Sequence, residues 1–177
     1  MDFTISETIS DELPLIVKMN QEALPAVSSV NMNDMNHFLF IVDYFHSLKM
    51  ENKLIGFLIA LTPGKEYHSV NYKWFEKRYD SFMYVDRIVI DPSYQGNGLG
   101  KAFYNDLADF SKNKTDRITC EVNIRPKNEG SMIFHDKYGF NQIGTQTTEN
   151  GKKEVSLMEY IIPVSYTHLT LPTIYSV

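Results

Sequence analysis

The strongest constraint on the fold is a glycine-rich turn at residues 95–100, which joins a strand-like segment to a helix-like one. Residues 82–91, before the turn, are rich in β-branched and aromatic side chains, which is typical of a β-strand. After the turn, apolar residues recur at the spacing of one helix face, namely Leu99, Phe103, Leu107 and Phe110. A chain that passes from a strand through glycines into a helix fits the α/β class, in which helices cover a sheet.

Other segments predict a single mixed sheet. Residues 53–61 are apolar on both faces and suit a central strand, whereas residues 118–124 alternate between apolar and polar side chains. The pair Asn150-Gly151 is the strongest short signal for a hairpin, here between the last two strands. The predicted order, β-α-α-β-β-β-α-β-α-β-β, mixes crossovers with hairpins. We therefore expect an α/β domain with a mixed central sheet flanked by helices.

The start of the chain predicts a short strand followed by two helices. Ser10 is a favourable N-cap for the first helix, and Pro25 ends it. The second helix begins near Asn31 or Asn33, while residues 38–45 suit a helix and a strand equally. The end of the second helix therefore stays open at this point.

Length and composition exclude several classes of protein. With 177 residues the chain is long enough for one domain with a sizeable core. A net charge of −5 provides no basic field for nucleic acid, and no apolar run approaches the about 20 residues that span a bilayer. The single cysteine, Cys120, excludes an internal disulfide and a multi-cysteine metal site. We expect a cytoplasmic protein with no bound metal, no nucleic-acid partner and no membrane association.

Residues 164–177 form a segment whose origin is in question. Their sequence resembles the translation of a sequencing adapter fused to the reading frame. A genuine apolar tail strand is the alternative. We predict a domain over residues 1–163 and a non-native tail over residues 164–177, and we assign no function to the tail.

The glycine-rich turn predicts an anion site, because amides at a helix N-terminus lack partners and the helix dipole favours negative charge. Two standard phosphate motifs are not matched. The Walker A motif needs glycine at Gln95 and serine or threonine at Ala102, and the dinucleotide motif needs glycine at Lys101. The alternative is a turn that only joins a strand to a helix.

Two motifs in the chain belong together. The first is Gln-x-x-Gly-x-Gly at residues 95–100, and the second places Glu121 on a strand, Asn128 at a helix start and a Gly-Phe pair after that helix. Together they resemble the GNAT superfamily of acetyl-CoA-dependent N-acetyltransferases over most of residues 54–160. The aromatic insert at residues 67–82 is similar to a little-described branch, and its rings either line the acceptor cleft or pack on one another.

The resemblance implies the GNAT-like fold and acetyl-CoA as the co-substrate. Backbone amides of the turn would hold the pyrophosphate, and Gly98 and Gly100 would lack side chains because the phosphates approach closely. Main-chain groups of the preceding strand would pair with the pantetheine arm. The resemblance assigns cofactor contacts to Ile88, Val89, Ile90, Gln95, Gly96, Asn97, Gly98, Leu99, Gly100, Lys101 and Asn128.

Acetyl transfer to an amine requires a base. The resemblance assigns this role to Glu121, since family members with glutamate at this place use it directly or through a water. Asp86 is the competitor, because strand alternation places it on the same face as Ile88 and Ile90. Each carboxylate has a structural alternative, which is a solvated or ion-paired position for Glu121 and an internal ion pair with an arginine such as Arg87 for Asp86.

The leaving thiolate requires a proton. Family members usually supply it from a tyrosine, and counting back from Gly139-Phe140 places His135 at that position. A histidine can donate a proton near neutral pH, so His135 is the predicted acid and Tyr138 the second choice. The alternative is a histidine on the helix surface.

The sequence as a whole therefore predicts an N-acetyltransferase that moves an acetyl group from acetyl-CoA to a primary amine by direct attack in a ternary complex. The alternative is a non-catalytic acyl-CoA-binding module with a regulatory or interaction role. The acceptor is a small-molecule amine or a peptide N-terminus. A homodimer is possible, because twofold dimers are the commonest closed assembly.

Overall fold

The computed structural model describes residues 2–164, which form a seven-stranded sheet in the order β1-β2-β3-β4-β5-β7-β6. The strands are β1 (Phe3–Glu7), β2 (Tyr44–Met50), β3 (Lys53–Leu61), β4 (Met83–Ile90), β5 (Arg117–Arg125), β6 (Asn141–Thr148) and β7 (Lys153–Ile161). The helices are α1 (Leu13–Glu22), α2 (Met32–Ile41), α3 (Val70–Arg78), α4 (Leu99–Ser111) and α5 (Glu129–Tyr138). Only β4 and β5 pair in parallel among these strands, which confirms the predicted mixed sheet. The predicted tail lies, except for Val164, outside the described residues.

Local capping explains where the first helices begin. Asn31 accepts a hydrogen bond from the Asp34 amide at 2.9 Å and donates its own amide to the Asp34 carboxylate at 2.8 Å, so α2 begins where the sequence predicts. Ser10 is not the N-cap of α1, which corrects the prediction. Ser10 instead begins a 3₁₀ turn, in which the Glu12 carboxylate accepts a hydrogen bond from the Ile9 amide, and α1 follows that turn. Residues 38–45 divide between the end of α2 and the start of β2.

Helices cover both faces of the sheet and create two separate cores. On the first face, Phe57 and Ile59 of β3 pack with α1 and α2, and Leu157 of β7 packs with α3. On the second face, Phe103 of α4 packs with Cys120 of β5. We call these the α1–α3 face and the α4–α5 face. A side chain on β4, β5 or β7 therefore belongs to one of two chemically separate compartments.

Strand β4 contains a β-bulge at Asp86. Arg87 pairs with Ile59 of β3, whereas Val85 pairs with the next residue of β3, Ala60, so Asp86 is an extra residue in β4. An extra residue interrupts the alternation of side chains between the two faces of a sheet. The alternation of side chains between the two faces of the sheet is therefore not continuous from the residues before the bulge to those after it.

The bulge corrects the predicted orientation of Asp86. Alternation predicted that Asp86 would share a face with Ile88 and Ile90, but both isoleucines pack against the core of the α4–α5 face. Asp86 lies toward the other face, where the Tyr67 hydroxyl donates a hydrogen bond to its carboxylate. The sequence could not reveal this change, because a bulge depends on how β4 pairs with β3.

Strands β4 and β5 are paired over only a short stretch. Met83 pairs with Ile118 and Tyr84 pairs with Thr119, and the pairing ends there. Strand β5 then continues beside β7. Among the described residues, the part of β4 that follows Tyr84 has no strand on its β5 side, so its backbone groups border an open cleft, as the splaying of parallel strands predicts.

Candidate active site

A cavity of about 670 Å³ opens where β4 and β5 separate. This volume lies in the range that accommodates small molecules. Residues of both sheet faces line it, so it connects the two compartments. From the α4–α5 face come Tyr104, Cys120, Asn128, Ser131 and His135, and from the α1–α3 face come Ser28, Tyr67, Asn71, Asp86, Arg87, Glu121, Gln146 and Lys153.

The turn before α4 presents free backbone amides beyond one end of this cavity. Gly96 and Gly98 have φ values of 81° and 76°, which glycine adopts without strain. The first bond within α4 runs from the Ala102 amide to the Gly98 carbonyl at 3.0 Å, so the amides of residues 98–101 have no acceptor within the helix. This arrangement suits a bound anion.

Neutral side chains brace the turn from outside. The Gln95 amide donates to the Ile90 carbonyl at 3.0 Å, and the Asn97 amide donates to the Tyr94 carbonyl at 2.9 Å. Both side chains are therefore engaged with backbone. Lys101 is exposed on the first turn of α4 and is the nearest positive charge in sequence.

Gly100 has a packing requirement in addition to the close approach of phosphates that the family resemblance implies. A Cβ atom at Gly100 would lie 2.9 Å from Cζ of Phe134 on α5, which is closer than a real contact allows. The missing side chain thus permits α4 and α5 to pack together. At Gly98, by contrast, the positive φ is the requirement, and nothing lies within 4 Å of an added Cβ.

The features between the turn and the cavity fit a long coenzyme with a diphosphate. The free edge of β4 runs from Asp86, on the cavity wall, through Ile88 and toward the amides of the turn. Asn128 caps α5 by accepting from the Ser131 amide at 3.2 Å and also lines the cavity. Residues 95–101 themselves lie outside the cavity lining, and the end of β4 joins the cavity wall to the turn.

Glu121 lies on β5 at the point of separation and faces the α1–α3 side. The Tyr84 hydroxyl donates to its carboxylate, at 2.7 and 2.9 Å from the two oxygens. Burial raises the pKa of Glu121 and the negative charge of Asp86 raises it further, while the bond from Tyr84 opposes both, so that the pKa is about 7. A carboxylate with a pKa near neutrality can accept a proton from an incoming group and release it again.

Asp86 takes part in a buried ion pair. Nε of Arg87 donates to its carboxylate at 2.7 Å, and each of the two side chains is only 4% exposed. Arg87 also donates to the Asn20 side chain at 2.8 Å and to the Ser28 carbonyl at 3.0 Å. The structure therefore places Asp86 in the internal ion pair that the sequence left as its alternative, and Arg87 anchors the loop between α1 and α2 beside the cavity.

His135 is buried beneath the α4–α5 side of the cavity. Its Nδ1 lies 2.7 Å from the Ser131 carbonyl, which can only accept, so Nδ1 carries the ring proton. Burial lowers the pKa of His135, so the neutral ring leaves Nε2 as an acceptor. The Tyr104 hydroxyl donates to Nε2 at 2.8 Å. Tyr104, and not Nε2 of His135, therefore carries the proton of this hydrogen bond.

Tyr138 and Trp74, a residue of the aromatic insert, lie away from the cavity lining. The Tyr138 hydroxyl donates to Asn105 at 2.9 Å, on the exposed side of the α4–α5 pair. Trp74 packs on Gly144 of β6, where an added Cβ would lie 2.9 Å from its ring. Of the rings in the aromatic insert, only that of Tyr67 reaches the cavity wall, while most of the others pack on one another in the α3 core.

The structure also adds residues that the sequence did not single out. Tyr104 follows Phe103 on α4, and both are fully buried, so helical periodicity alone could not tell which one faces the cavity. Lys153 reaches the cavity from the far end of the β6–β7 hairpin. No sequence signal identifies either residue, since both depend on the three-dimensional pairing of elements.

The described part of the chain contains neither a helix suited to span a membrane nor a cluster of side chains suited to a metal ion. Among residues 2–164, no helix is long and apolar enough to cross a membrane. No group of three or more histidine, cysteine, aspartate or glutamate side chains in the same residues could hold a metal ion.

Comparison with known proteins identifies the family. The acetyltransferase (GNAT) family profile matches residues 14–140. The glucosamine 6-phosphate N-acetyltransferase of Trypanosoma brucei brucei is 40% identical over 57 residues, which are 32% of this chain and 36% of that protein. The chain thus spans about a third of the length of that curated relative.

Solved structures match over nearly the whole chain. The ribosomal-protein-S18-alanine N-acetyltransferase of Escherichia coli has a TM-score of 0.68 at 19% identity, covering 96% of this chain and 100% of that one. Arabidopsis thaliana Naa50, solved with the bisubstrate analogue CoA-Ac-MVNAL, has a TM-score of 0.67 at 13% identity, covering 90% and 99%. At these identities the likeness concerns the fold. Because the family profile covers most of the chain and the fold agrees with it, the chain belongs to the GNAT family of N-acetyltransferases, whose members use acetyl-CoA as the acetyl donor.

Proposed function

We propose that this protein transfers an acetyl group from acetyl-CoA to a primary amine by direct attack. The observation that carries the proposal is the position of Glu121, a half-buried carboxylate with a pKa of about 7 where β4 and β5 separate. Free amides before α4 and the unpaired edge of β4 support binding of the coenzyme at the same cleft. Acetyl-CoA, when bound, supplies an acetyl group already activated as a thioester.

Glu121 is the proposed base. An amine that enters from the α1–α3 side as an ammonium ion can lose its proton to the Glu121 carboxylate. The pKa of about 7 makes this carboxylate a stronger base than an ordinary one, which favours the transfer. Tyr84 holds the carboxylate in place through its hydroxyl. Asp86 acts on Glu121 through its charge, since its own oxygens bind Tyr67 and Arg87.

Tyr104 is the proposed donor of the proton for the thiolate, with His135 as the residue that orients it. Burial raises the pKa of Tyr104 well above its ordinary value, so the phenol is protonated at neutral pH and gives up its proton only as the bond between sulfur and the acetyl carbon breaks and the thiolate forms. Solvent then returns a proton to the phenolate. His135 holds that hydroxyl on the α4–α5 side of the sheet, opposite Glu121. Base and acid thus lie on opposite sides of the cleft, which suits a reaction that takes a proton at one end and returns one at the other.

Direct attack is preferred to an acetyl-cysteine route. Cys120 is 2% exposed, and burial raises the pKa of its thiol well above the ordinary value. A thiol of this kind is a poor nucleophile at neutral pH, because the thiolate is the reactive form. The acetyl group therefore passes to the amine in a single transfer.

The acceptor is proposed to be a small-molecule amine or a peptide N-terminus. The relatives include an enzyme named for an amino-sugar phosphate and one named for an alanine of a ribosomal protein. We further propose a cytoplasmic location and no nucleic-acid partner, which the net charge of −5 supports, and a homodimer as the first assembly to examine.

Release of free CoA tests the proposal against its alternative, a non-catalytic acyl-CoA-binding module. The full chain is incubated with acetyl-CoA and a panel of primary amines, thiol release is followed with a thiol reagent, and the acetylated amine is identified by mass spectrometry. We expect release that depends on an amine and is lost in Glu121→Gln. Binding of acetyl-CoA without amine-dependent release would support the non-catalytic module.

A further inference from the structure

The β6–β7 hairpin places a positive charge on the wall of the cavity. Lys153 is the first residue of β7, is half-buried and lines the cavity. Among residues 2–164, no carboxylate oxygen lies within the 4.0 Å of an ion pair from its ammonium group. Its neighbour Glu154 is paired instead with Arg125 at 3.4 Å. A half-buried ammonium without a counterion favours the approach of an anion, because pairing offsets the cost of removing its charge from water.

The other permanent cation of the cavity wall is already occupied. The guanidinium of Arg87 donates to the Asp86 carboxylate, to the Asn20 side chain and to both oxygens of Ser28, at 2.7 to 3.0 Å. His135 is neutral for the reasons given above. Of the cations that line the cavity within the described residues, Lys153 is therefore the one left for an incoming negative group.

Lys153 lies in the same compartment as Glu121. Side chains alternate along β7, and Val155 and Leu157, at the same parity as Lys153, pack in the core beneath α3. Glu121 pairs with Leu157, four residues along β7 from Lys153, which corresponds to about 13 Å between backbones. No ion pair joins the two side chains within the described residues, so the carboxylate and the ammonium lie more than 4.0 Å apart.

Glu149, the other charged residue of the hairpin in the cavity lining, does not neutralise the charge of Lys153. Glu149 also lines the cavity, but it is exposed at the turn, where water and salt screen its charge. The Gln146 amide donates to Asn71 at 2.8 Å and so is engaged with α3. The charge of Lys153 reaches the catalytic end of the cavity, because it is among the influences that lower the pKa of Glu121.

We infer that the acceptor is a small primary amine with an anionic group, a carboxylate or a phosphate, several ångströms from its nitrogen, and that Lys153 binds that group. The amine then lies at Glu121 and the anion at Lys153, which fixes the orientation of the acceptor. The volume of the cavity suits a molecule of this size. The inference rests on the proposed acetyl transfer, because it names the substrate of the same site.

Matched amine pairs test the inference. The pairs are δ-aminovalerate with pentylamine and aminopropyl phosphate with propylamine, which separate carboxylate from phosphate. Thiol release is measured at about pH 9, above the range in which Glu121 titrates. We expect the wild type to have a KM about 10- to 100-fold lower for at least one anionic member than for its neutral partner, as expected for a hydrogen bond to a charged group.

Substitutions assign the preference to Lys153. Lys153→Gln should remove the difference within each pair, Lys153→Arg should retain much of it, and Lys152→Gln, an exposed neighbour outside the cavity lining, should leave the difference unchanged. Calorimetric binding of the same amines, without turnover, should show the same order of affinities. A preference that survives in Lys153→Gln, or equal affinities in the wild type, overturns the inference.

The two proposals can fail separately. Thiol release with neutral and anionic amines alike, at equal KM, would leave acetyl transfer standing and remove the role of Lys153. Calorimetric preference for anionic amines that depends on Lys153, without thiol release from any amine, would support the anion site and remove the proposed reaction.

Discussion

Replacement of Glu121 by glutamine should make the protein more stable and less active at the same pH. The side chain of Glu121 has an ordinary pKa of 4.5 and a pKa of about 7 in the folded protein. Because the folded state holds the proton more tightly, this group stabilises the fold below pH 4.5, and that contribution is lost as the pH rises through about 7. Glutamine imitates the protonated carboxyl and does not titrate.

The magnitude follows from the two pKa values. Because the pKa rises from 4.5 to about 7 on folding, the free energy of unfolding of the wild type should fall by about 2.5 kcal/mol between about pH 5 and pH 8. Each pKa unit corresponds to about 1.4 kcal/mol, and the rest of the effect lies below pH 5. For a domain of this size that is a difference in Tm of roughly 5 to 10 °C. The free energy of unfolding of Glu121→Gln should therefore rise by this amount relative to that of the wild type over the same pH range. Its kcat should be lower than the wild-type value by about 100-fold or more.

Urea unfolding at a series of pH values, together with thiol release, measures both effects. Glu22→Gln is the matched control, because it removes an exposed carboxylate at the end of α1, far from β5 in sequence. In the wild type, kcat/KM should fall as the pH drops through about 7, where Glu121 takes up its proton. A stability difference between Glu121→Gln and wild type that is the same at every pH would refute the elevated pKa and with it the argument for the base.

Further predictions concern the neighbours of Glu121 and the packing of the coenzyme turn. Tyr84→Phe removes a bond that lowers the pKa of Glu121, so the acidic limb of kcat/KM should move to higher pH; a limb that stays in place would contradict this. Asp86→Asn should move the limb to lower pH and cost about 3 to 5 kcal/mol of stability, because Arg87 stays buried without its partner, and urea unfolding measures that cost. Tyr104→Phe should lower kcat by about 10-fold or more with a smaller effect on KM for acetyl-CoA, and an unchanged kcat would show that no side-chain acid is needed. Gly100→Ala should lower the free energy of unfolding by about 1 to 3 kcal/mol through its contact with Phe134. Adding Phe134→Leu should recover part of that loss, which a double-mutant cycle measures.

The sheet and the coenzyme turn could be predicted from the sequence because both rest on local patterns. Strand β3 is apolar on both faces, α4 carries a regular apolar stripe, and Asn31 caps α2 with its own side chain. The family motifs add the order of β4, the turn and α4. Signals of this kind depend on residues that are neighbours in the chain.

The parts that could not be predicted depend on contacts between distant segments. The bulge at Asp86 exists because β4 is one residue longer than β3 between two pairing points, and no local pattern records it. Arg87 finds its partners 59 and 67 residues away, at Ser28 and Asn20. The distinction between Gly98 and Gly100 also needs the fold, since only the position of Phe134 shows that Gly100 is a packing requirement.

Calorimetric titration of the full chain with acetyl-CoA tests the central claim most directly, namely that the cleft beside β4 and the amides before α4 bind the coenzyme. We expect heat of binding at one site per chain for acetyl-CoA and for CoA, and an affinity at least about 10-fold weaker, or about 1.4 kcal/mol, in Gly98→Val, where φ is 76°. The absence of binding heat with either form of the coenzyme, or equal affinity in wild type and Gly98→Val, would contradict the account.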